Sequence, residues 1–335
     1  MGLRAPGFWG RPAGLRAHAL SPFAMIYGAV AAARQGKRAP RAALPTIAIG
    51  GLTLGGDGKT PTALALGRLL LRMGERPAFL TRGYGRVPPH SAAVEADLSR
   101  HGIADVGDEA LILAATAPTI VGVDRQVAAG LAVTLGATAL ILDDGFHSRR
   151  LEPDLAILVV DESYGAGSGY CPPAGPLRAP LRAQFARADV TLFIDAPGST
   201  APSLEIPVSL AERWRARLVP DPDAAAHFRG ARVLAFAGVG RPEKFELSLQ
   251  EIGALVVACR WFPDHHLYRP GELKFLALQA KRLDARLVTT EKDAVRLGPG
   301  HAMETLPVSL NFNDEEQVAG RLSAALSEAR KKRRG

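Results

Sequence analysis

The chain is poor in several things. It has two cysteines in 335 residues, Cys171 and Cys259, far apart and forming no CxxC pair. A disulfide scaffold and a cysteine-rich zinc site are therefore excluded, and a reducing compartment fits. No run of about 18 apolar residues exists, so a membrane-spanning helix is not expected. Aromatics make up 6% of the residues. Asparagine occurs only as Asn311 and Asn313, neither followed by lysine, so the Asn-Lys-x-Asp signature of guanine recognition is missing. Acid is absent from the first 56 residues, because the first carboxylate is Asp57.

That last absence changes the meaning of the net charge of +8. Seven basic residues precede Asp57, and Arg330 to Gly335 adds five more and no acid. Taking these twelve from the 41 basic residues leaves 29 against 33 acidic, or −4 for the body. A mildly acidic body with two cationic ends argues against a nucleic-acid partner bound through a basic face of the fold. Hydrophobic residues at 47% suffice for sizeable cores. At roughly 100–200 residues per domain the length suggests two domains.

Residues 1–19 read as unstructured. Ser21-Pro22 then reads as an N-cap and first helical position, followed by Phe23, Ile26, Tyr27 and Val30 at helical spacing. Arg34, Lys37 and Arg38 lie beyond the end of this stripe. The pattern suits a helix lying on an anionic membrane surface. It equally suits a helix packed on its own domain. A cleavable transit peptide is a third reading, against which stand the low serine content and the direct run into the first core strand.

Thr46 to Ile49 is a buried-strand pattern, followed by Gly50-Gly51-Leu52-Thr53-Leu54-Gly55-Gly56-Asp57-Gly58-Lys59-Thr60 and a helical run from Pro61 to Met73. Strand, glycine-rich loop ending in Gly-Lys-Thr, and helix is the context of a P-loop. Backbone N–H groups must approach phosphate oxygens closely, and glycine permits it. Thr53, Gly55, Gly56, Asp57, Gly58, Lys59, Thr60 and Pro61 are thus the expected nucleotide-binding residues, with Lys59 on the β/γ-phosphates and the Thr60 hydroxyl on Mg²⁺. The strict pattern asks for glycine where Thr53 stands. Ala139 to Leu142 is a second apolar strand, ending in Asp143-Asp144. Carboxylates at the end of a parallel strand are where Mg²⁺ is held: Asp143 is the expected metal residue and Asp144 the catalytic one. Leu155–Val160 and Val190–Ile194 continue the α/β alternation.

These and further stretches resemble the tetraacyldisaccharide 4′-kinase (lipid A 4′-kinase) family. The matching motifs are Gly50–Pro61, Leu80–Gly85, Val106–Glu109, Leu142–Phe146, Pro173–Arg178, Ala235–Phe245, Phe262–His266 and Val288–Arg296. The resemblance implies two α/β/α sandwich domains joined by a two-stranded linker. It implies transfer of the γ-phosphate of ATP, with Mg²⁺, to the 4′-hydroxyl of an acylated glucosamine disaccharide 1-phosphate. It places that reaction at the cytoplasmic face of the bacterial inner membrane. By the same resemblance Asp108 is the catalytic aspartate and His265 its partner. Arg82, Arg178 and Arg241 are candidate cations for substrate or nucleotide phosphates. The chain departs from the family at Gly51, where asparagine is usual, at His147-Ser148, where Gln-His is usual, and at Ala179, where a glutamate expected to assist the metal is usual. Metal binding then rests on Thr60, the aspartates and water.

The echo of Pro207-Val208-Ser209-Leu210 in Pro307-Val308-Ser309-Leu310 suggests the linker strands. The expected division is an N-terminal arm and helix over 1–45, a P-loop domain over 46–206, a second α/β domain over 207–310, and a C-terminal helix with a basic tail over 311–335. A monomer is expected. A P-loop GTPase or metallochaperone-like NTPase is the alternative reading.

Overall fold

The computed structural model describes residues 5–36, 38–87, 92–195, 212–298, 301 and 303–334. The first unit opens with a 3-10 turn (Gly7–Gly10), α1 (Leu15–Gln35), β1 (Thr46–Gly51), α2 (Lys59–Arg72), β2 (Pro77–Thr81), β3 (Val94–Glu95), α3 (Ile103–Val106) and α4 (Asp108–Ala114). It continues with β4 (Thr119–Val121), α5 (Arg125–Thr134), β5 (Ala139–Leu142), β6 (Leu155–Asp161), α6 (Leu181–Arg187), β7 (Val190–Asp195) and β8 (Glu212–Pro220). The second unit holds α7 (Pro222–Phe228), β9 (Arg232–Ala237), α8 (Glu243–Glu251), β10 (Leu255–Trp261), α9 (Pro270–Arg282), β11 (Arg286–Thr290), α10 (Glu291–Leu297) and β12 (Glu304–Leu306). The chain returns through β13 (Val308–Phe312) and ends in α11 (Glu315–Arg334).

The larger sheet runs β13-β8-β7-β6-β1-β5-β2-β4-β3. Its pairs from β8 to β4 are parallel, and β13 and β3 are antiparallel edges. Parallel strands covered on both faces read as continuous apolar runs, which is why Leu155–Val160 and Ala139–Leu142 announce themselves. Alternation along β1 assigns the faces. Ile47 and Ile49 pack with Leu66 and Leu70 of α2 and Leu322 and Leu326 of α11, whereas Ala48 packs with Ala128 and Ala132 of α5. The second sheet, β10-β9-β11-β12, is wholly parallel. Val233, Ala235 and Ala237 turn toward α7 and α8, and Leu234 and Phe236 toward α9. Both units are α/β/α sandwiches, as the resemblance implies.

Two antiparallel strands carry the chain between them: β8 leaves the large sheet and β13 rejoins it, with Leu218 opposite Leu310 and Ala216 opposite Phe312. The echo segment Pro207–Leu210 and the division at 206/207 lie outside the described residues. The chain changes sheets after Pro220.

The N-terminal expectation needs correction. Residues 7–10 form a 3-10 turn, and α1 is already helical at Leu15, with Pro22 inside it rather than at its start. Proline has no N–H for the carbonyl four residues back, and the Ser21 hydroxyl donates to that His18 carbonyl instead, at 2.7 Å. α1 packs through its small side, Ala17, Ala24 and Gly28. A Cβ on Gly28 would lie 3.1 Å from Pro180, so a larger residue there would have to push the helix and the proline apart by a few tenths of an ångström. The large apolar stripe faces outward: Phe23 is 63% and Ile26 65% exposed. The basic tail is helical to Arg334, and two of its cations are bound to the body, Arg330 to Glu75 at 2.6 Å and Arg333 to Asp154 at 2.7 Å.

Candidate active site

The C-terminal ends of the central parallel strands converge on one rim, the usual ligand edge of an open α/β sheet. β1 delivers the glycine loop, β2 delivers Arg82, β5 delivers Asp143 and Asp144, and β6 ends at Asp161.

In the loop, Gly55, Gly56 and Gly58 have φ of +83°, +67° and +84°. At two of them a side chain would also press on a neighbour: a Cβ would lie 2.8 Å from the Arg241 side chain at Gly56 and 2.3 Å from the Ile194 side chain at Gly58. Thr53, by contrast, sits in an antiparallel bridge with Leu177 and is not among the residues with positive φ. Its backbone has no need of glycine, which accounts for the departure from the strict pattern. Asp57 folds back on it, accepting from the Thr53 N–H at 2.9 Å and from its hydroxyl at 2.5 Å. Lys59 and Thr60 open α2, with Pro61 behind them in the first turn.

The Thr60 hydroxyl lies 3.5 Å from Asp143 Oδ2. Asp143 Oδ1 is buried with no hydrogen-bond partner, an orphaned acceptor of the kind a cation satisfies. One hydroxyl and one carboxylate match the sparse protein ligation typical of Mg²⁺. Burial, reinforced by the charges of Glu109 and Asp144, pushes the Asp143 carboxyl up to about 7. Burial alone would raise Asp144 too, but the Arg178 and Lys59 charges outweigh it and hold that carboxyl down to about 2.

Across the cleft the second unit supplies cations. Asp108 heads α4 directly after Gly107, whose φ is +86°. The His265 Nδ1–H donates to Asp108 Oδ2 at 3.0 Å, and Arg296 donates to the same oxygen at 2.7 Å from Nε and lies 2.6 Å away at Nη2. Beside this, Lys292 binds Glu109 at 2.9 Å. Burial works against the Asp108 charge, yet the His265 hydrogen bond and the Lys292 and Arg296 charges overcome it and hold the carboxyl well below the usual range. His265 has a φ of +58°, a costly conformation for a non-glycine residue that packing must impose. Its N–H is tied to the Gly238 carbonyl at 3.1 Å and its ring lies 4.6 Å from that of Tyr84. Asp293 fixes the supporting frame, accepting from the Gly238 N–H, the Tyr268 and Thr290 hydroxyls and Arg296.

The three expected phosphate cations fare differently. Arg82 is exposed at the end of β2. Arg178 donates from Nε to the Thr53 carbonyl at 2.8 Å and pairs with Asp144 at 3.0 Å. Arg241 engages Asp57 and Asp161. Ala179 is fully buried and brings no carboxylate.

The candidate residues read from the sequence omitted Arg296, Glu109 and Lys292. The signal available for the two cations was their spacing of four in Glu291–Leu297, which puts both on one helical face. His147, whose role the sequence left open, ties α1 to the phosphate loop. Its Nδ1 accepts from the Gln35 amide at 2.9 Å and its Nε2–H donates to the Gly51 carbonyl at 2.9 Å. Burial, with the Arg178 charge, pushes it down to about 3, so the ring is neutral.

A family profile described as Tetraacyldisaccharide-1-P 4′-kinase matches residues 16–327. A protein named tetraacyldisaccharide 4′-kinase from Methylobacterium nodulans is 47% identical over 317 residues, covering 94% of this chain and 93% of its own. One of the same name from a Methylobacterium species is 46% identical over 331 residues, covering 97% and 98%. Among solved structures, LpxK from Aquifex aeolicus in complex with ATP superposes with a TM-score of 0.71 at 23% identity, over 93% of this chain and all of that one. At that identity the likeness is one of fold.

Proposed function

The chain belongs to the tetraacyldisaccharide-1-P 4′-kinase family, and from that premise we infer how its cleft performs the reaction. It is an ATP-dependent kinase of lipid A biosynthesis, transferring the γ-phosphate to the 4′-hydroxyl of an acylated glucosamine disaccharide 1-phosphate.

The single observation that carries the assignment of roles is the buried Asp108 carboxylate, held by His265 and Arg296 in the same electrostatic neighbourhood as the phosphate loop. Asp143 senses Glu109 and Lys292 from that side and Lys59 from the loop. Phosphoryl transfer needs positioning and charge stabilisation more than covalent chemistry. Lys59 meets the developing charge on the β/γ-phosphates. Thr60 and Asp143 would hold Mg²⁺, which would supply neutralisation of phosphate charge. Asp144, pinned by Arg178, keeps a negative charge that the Lys59 ammonium feels. Asp108 takes the proton of the sugar hydroxyl, and His265 orients it. Its depressed pKa keeps it ionised, and a loose transition state asks for little pull on the proton until late. Arg82, exposed between β2 and the Gly83–Gly85 turn, is the free-reaching cation for the substrate phosphate.

No helix among the described residues is long and apolar enough to cross a membrane. The outward stripe of α1 supports peripheral docking on an anionic bilayer, at the cytoplasmic face of the inner membrane where the acylated substrate resides. The test is transfer of labelled γ-phosphate from Mg-ATP to the acylated disaccharide 1-phosphate in detergent micelles, with Lys59→Ala and Asp108→Ala as controls. Absence of transfer by the wild-type chain overturns the reading, and a preference for GTP would favour the alternative NTPase.

A further inference from the structure

Asp57 is the sole acid of the phosphate loop, and its side chain is 1% exposed. It braces the loop from within, against the Thr53 N–H and hydroxyl, so closely that a Cβ on Gly51 would lie 2.1 Å from its Oδ2. A buried carboxylate beside a binding place for a polyanion is unfavourable on two counts, desolvation and repulsion, unless a cation cancels it.

The cancelling group comes from the other unit. Arg241, in the loop between β9 and α8, places Nη2 2.8 Å from Asp57 Oδ1 and 2.7 Å from the Thr53 hydroxyl, while Nη1 pairs with Asp161. Its guanidinium lies over the Tyr164 ring, 3.8 Å from the centroid. Lys244, in the first turn of α8, pairs with the same Asp161 at 2.5 Å. Both acids belong to the first unit, both cations to the second, and the charges balance. The backbones touch as well, since a Cβ on Gly240 would lie 3.2 Å from Gly56 N. Both terminal nitrogens of Arg241 are thus engaged by the phosphate loop and the end of β6.

We propose that Arg241, seconded by Lys244, is a positioning residue for the nucleotide: it straps the second unit onto the phosphate loop and neutralises Asp57, so that the loop receives a nucleoside triphosphate at full strength only with the cleft closed. This rests on the kinase reading of the site and gives Arg241 a role other than the expected one of a direct ligand to substrate or nucleotide phosphates. Removing Arg241 leaves the buried Asp57 charge without its ion-pair partner, facing incoming phosphates. Changing Asp57 to asparagine in that background removes the charge yet keeps an acceptor for the Thr53 N–H. The two substitutions must therefore compensate one another.

The experiment measures equilibrium binding of a fluorescent ATP analogue and steady-state KM values for ATP and for the disaccharide, on the full chain, with thermal melting as the folding control. Arg241→Ala is expected to weaken analogue binding about tenfold or more. The Asp57→Asn/Arg241→Ala double variant is expected to return to within about threefold of wild type, with the disaccharide KM unmoved throughout. Unchanged analogue binding in Arg241→Ala, an undiminished deficit in the double variant, or a rise in the disaccharide KM alone each overturns the proposal, and the last would restore the substrate-phosphate role. If Arg241→Ala fails to fold, Arg241→Lys replaces it, since one ammonium cannot pair with both carboxylates as the fork does. Its deficit must be relieved by Asp57→Asn in the same way. Binding is read without turnover, so a wild-type chain that binds the analogue but phosphorylates nothing would defeat the kinase reading while the strap is still judged.

Discussion

His265 and Asp108 lie 157 positions apart, yet Nδ1 of one donates to Oδ2 of the other at 3.0 Å. Asp108 begins a helix of the first unit and His265 follows the second strand of the other, so this hydrogen bond exists only where the two units meet. The closure is itself acid against base: Asp108 and Glu109 on one wall face His265, Lys292 and Arg296 on the other.

If Asp108 is the base, Asp108→Asn lowers kcat by about 10²–10⁴-fold and leaves the Kd for ATP nearly unchanged. His265→Ala lowers kcat too, and the double variant loses less than the product of the singles, because the pair acts as a unit. Single-turnover rates and nucleotide binding, measured side by side, check this. An equal loss of ATP affinity would make Asp108 structural.

Arg296 helps to hold Asp108 ionised, beside the His265 hydrogen bond and the Lys292 charge, which weigh more. A depressed carboxylate pKa means the reactive form persists to low pH, so Asp108 contributes no acid limb to the wild-type profile of kcat/KM across the neutral range. Removing a cation disfavours the carboxylate and raises its pKa. Arg296→Gln therefore moves the acid limb of the profile to higher pH, and Arg296→Lys shows a smaller displacement. A profile unmoved in shape, merely lower, would contradict the assignment.

His147 makes stability pH-dependent. Its folded pKa of about 3 lies below the ordinary value of about 6.5, so the unfolded chain binds a proton that the folded chain refuses. The contribution is complete above about pH 6.5 and is lost as pH falls toward 3. Between pH 7 and 5 that is about 1–2 kcal/mol. His147→Gln keeps an amide for the Gly51 carbonyl without the titration, and should flatten the dependence of the urea midpoint on pH over this interval.

The outward stripe of α1 predicts a separable membrane function. Phe23→Ser with Ile26→Ser removes exposed apolar surface only, so the melting temperature should barely move. Co-sedimentation with anionic lipid vesicles should fall about tenfold or more. Undiminished sedimentation would locate membrane binding elsewhere on the chain.

Much of the fold was legible because its signals are contiguous. A buried strand, a glycine loop ending in Gly58-Lys59-Thr60 and a helix are neighbours in the chain, and their residues state the local backbone directly. The same holds for Asp143-Asp144 after an apolar run. Pro22 shows where local reading misleads: Ser-Pro writes a helix start, but the Ser21–His18 hydrogen bond and the packing of Ala17 and Ala24 carry α1 back to Leu15. Distant meetings were not legible from the residues alone. Arg296 reaches Asp108 across 188 positions and Arg241 reaches Asp57 across 184. A charge declares its sign in the sequence but not its partner, and partners are chosen through space once two sheets close on each other. The sequence by itself determined a phosphate-binding α/β chain with a motif set resembling one kinase family. The tertiary structure alone decided that Asp57, Asp108, Glu109 and Asp161 of one unit are answered by cations of the other, since the energy of a buried charge depends on which opposite charge shares its desolvated volume.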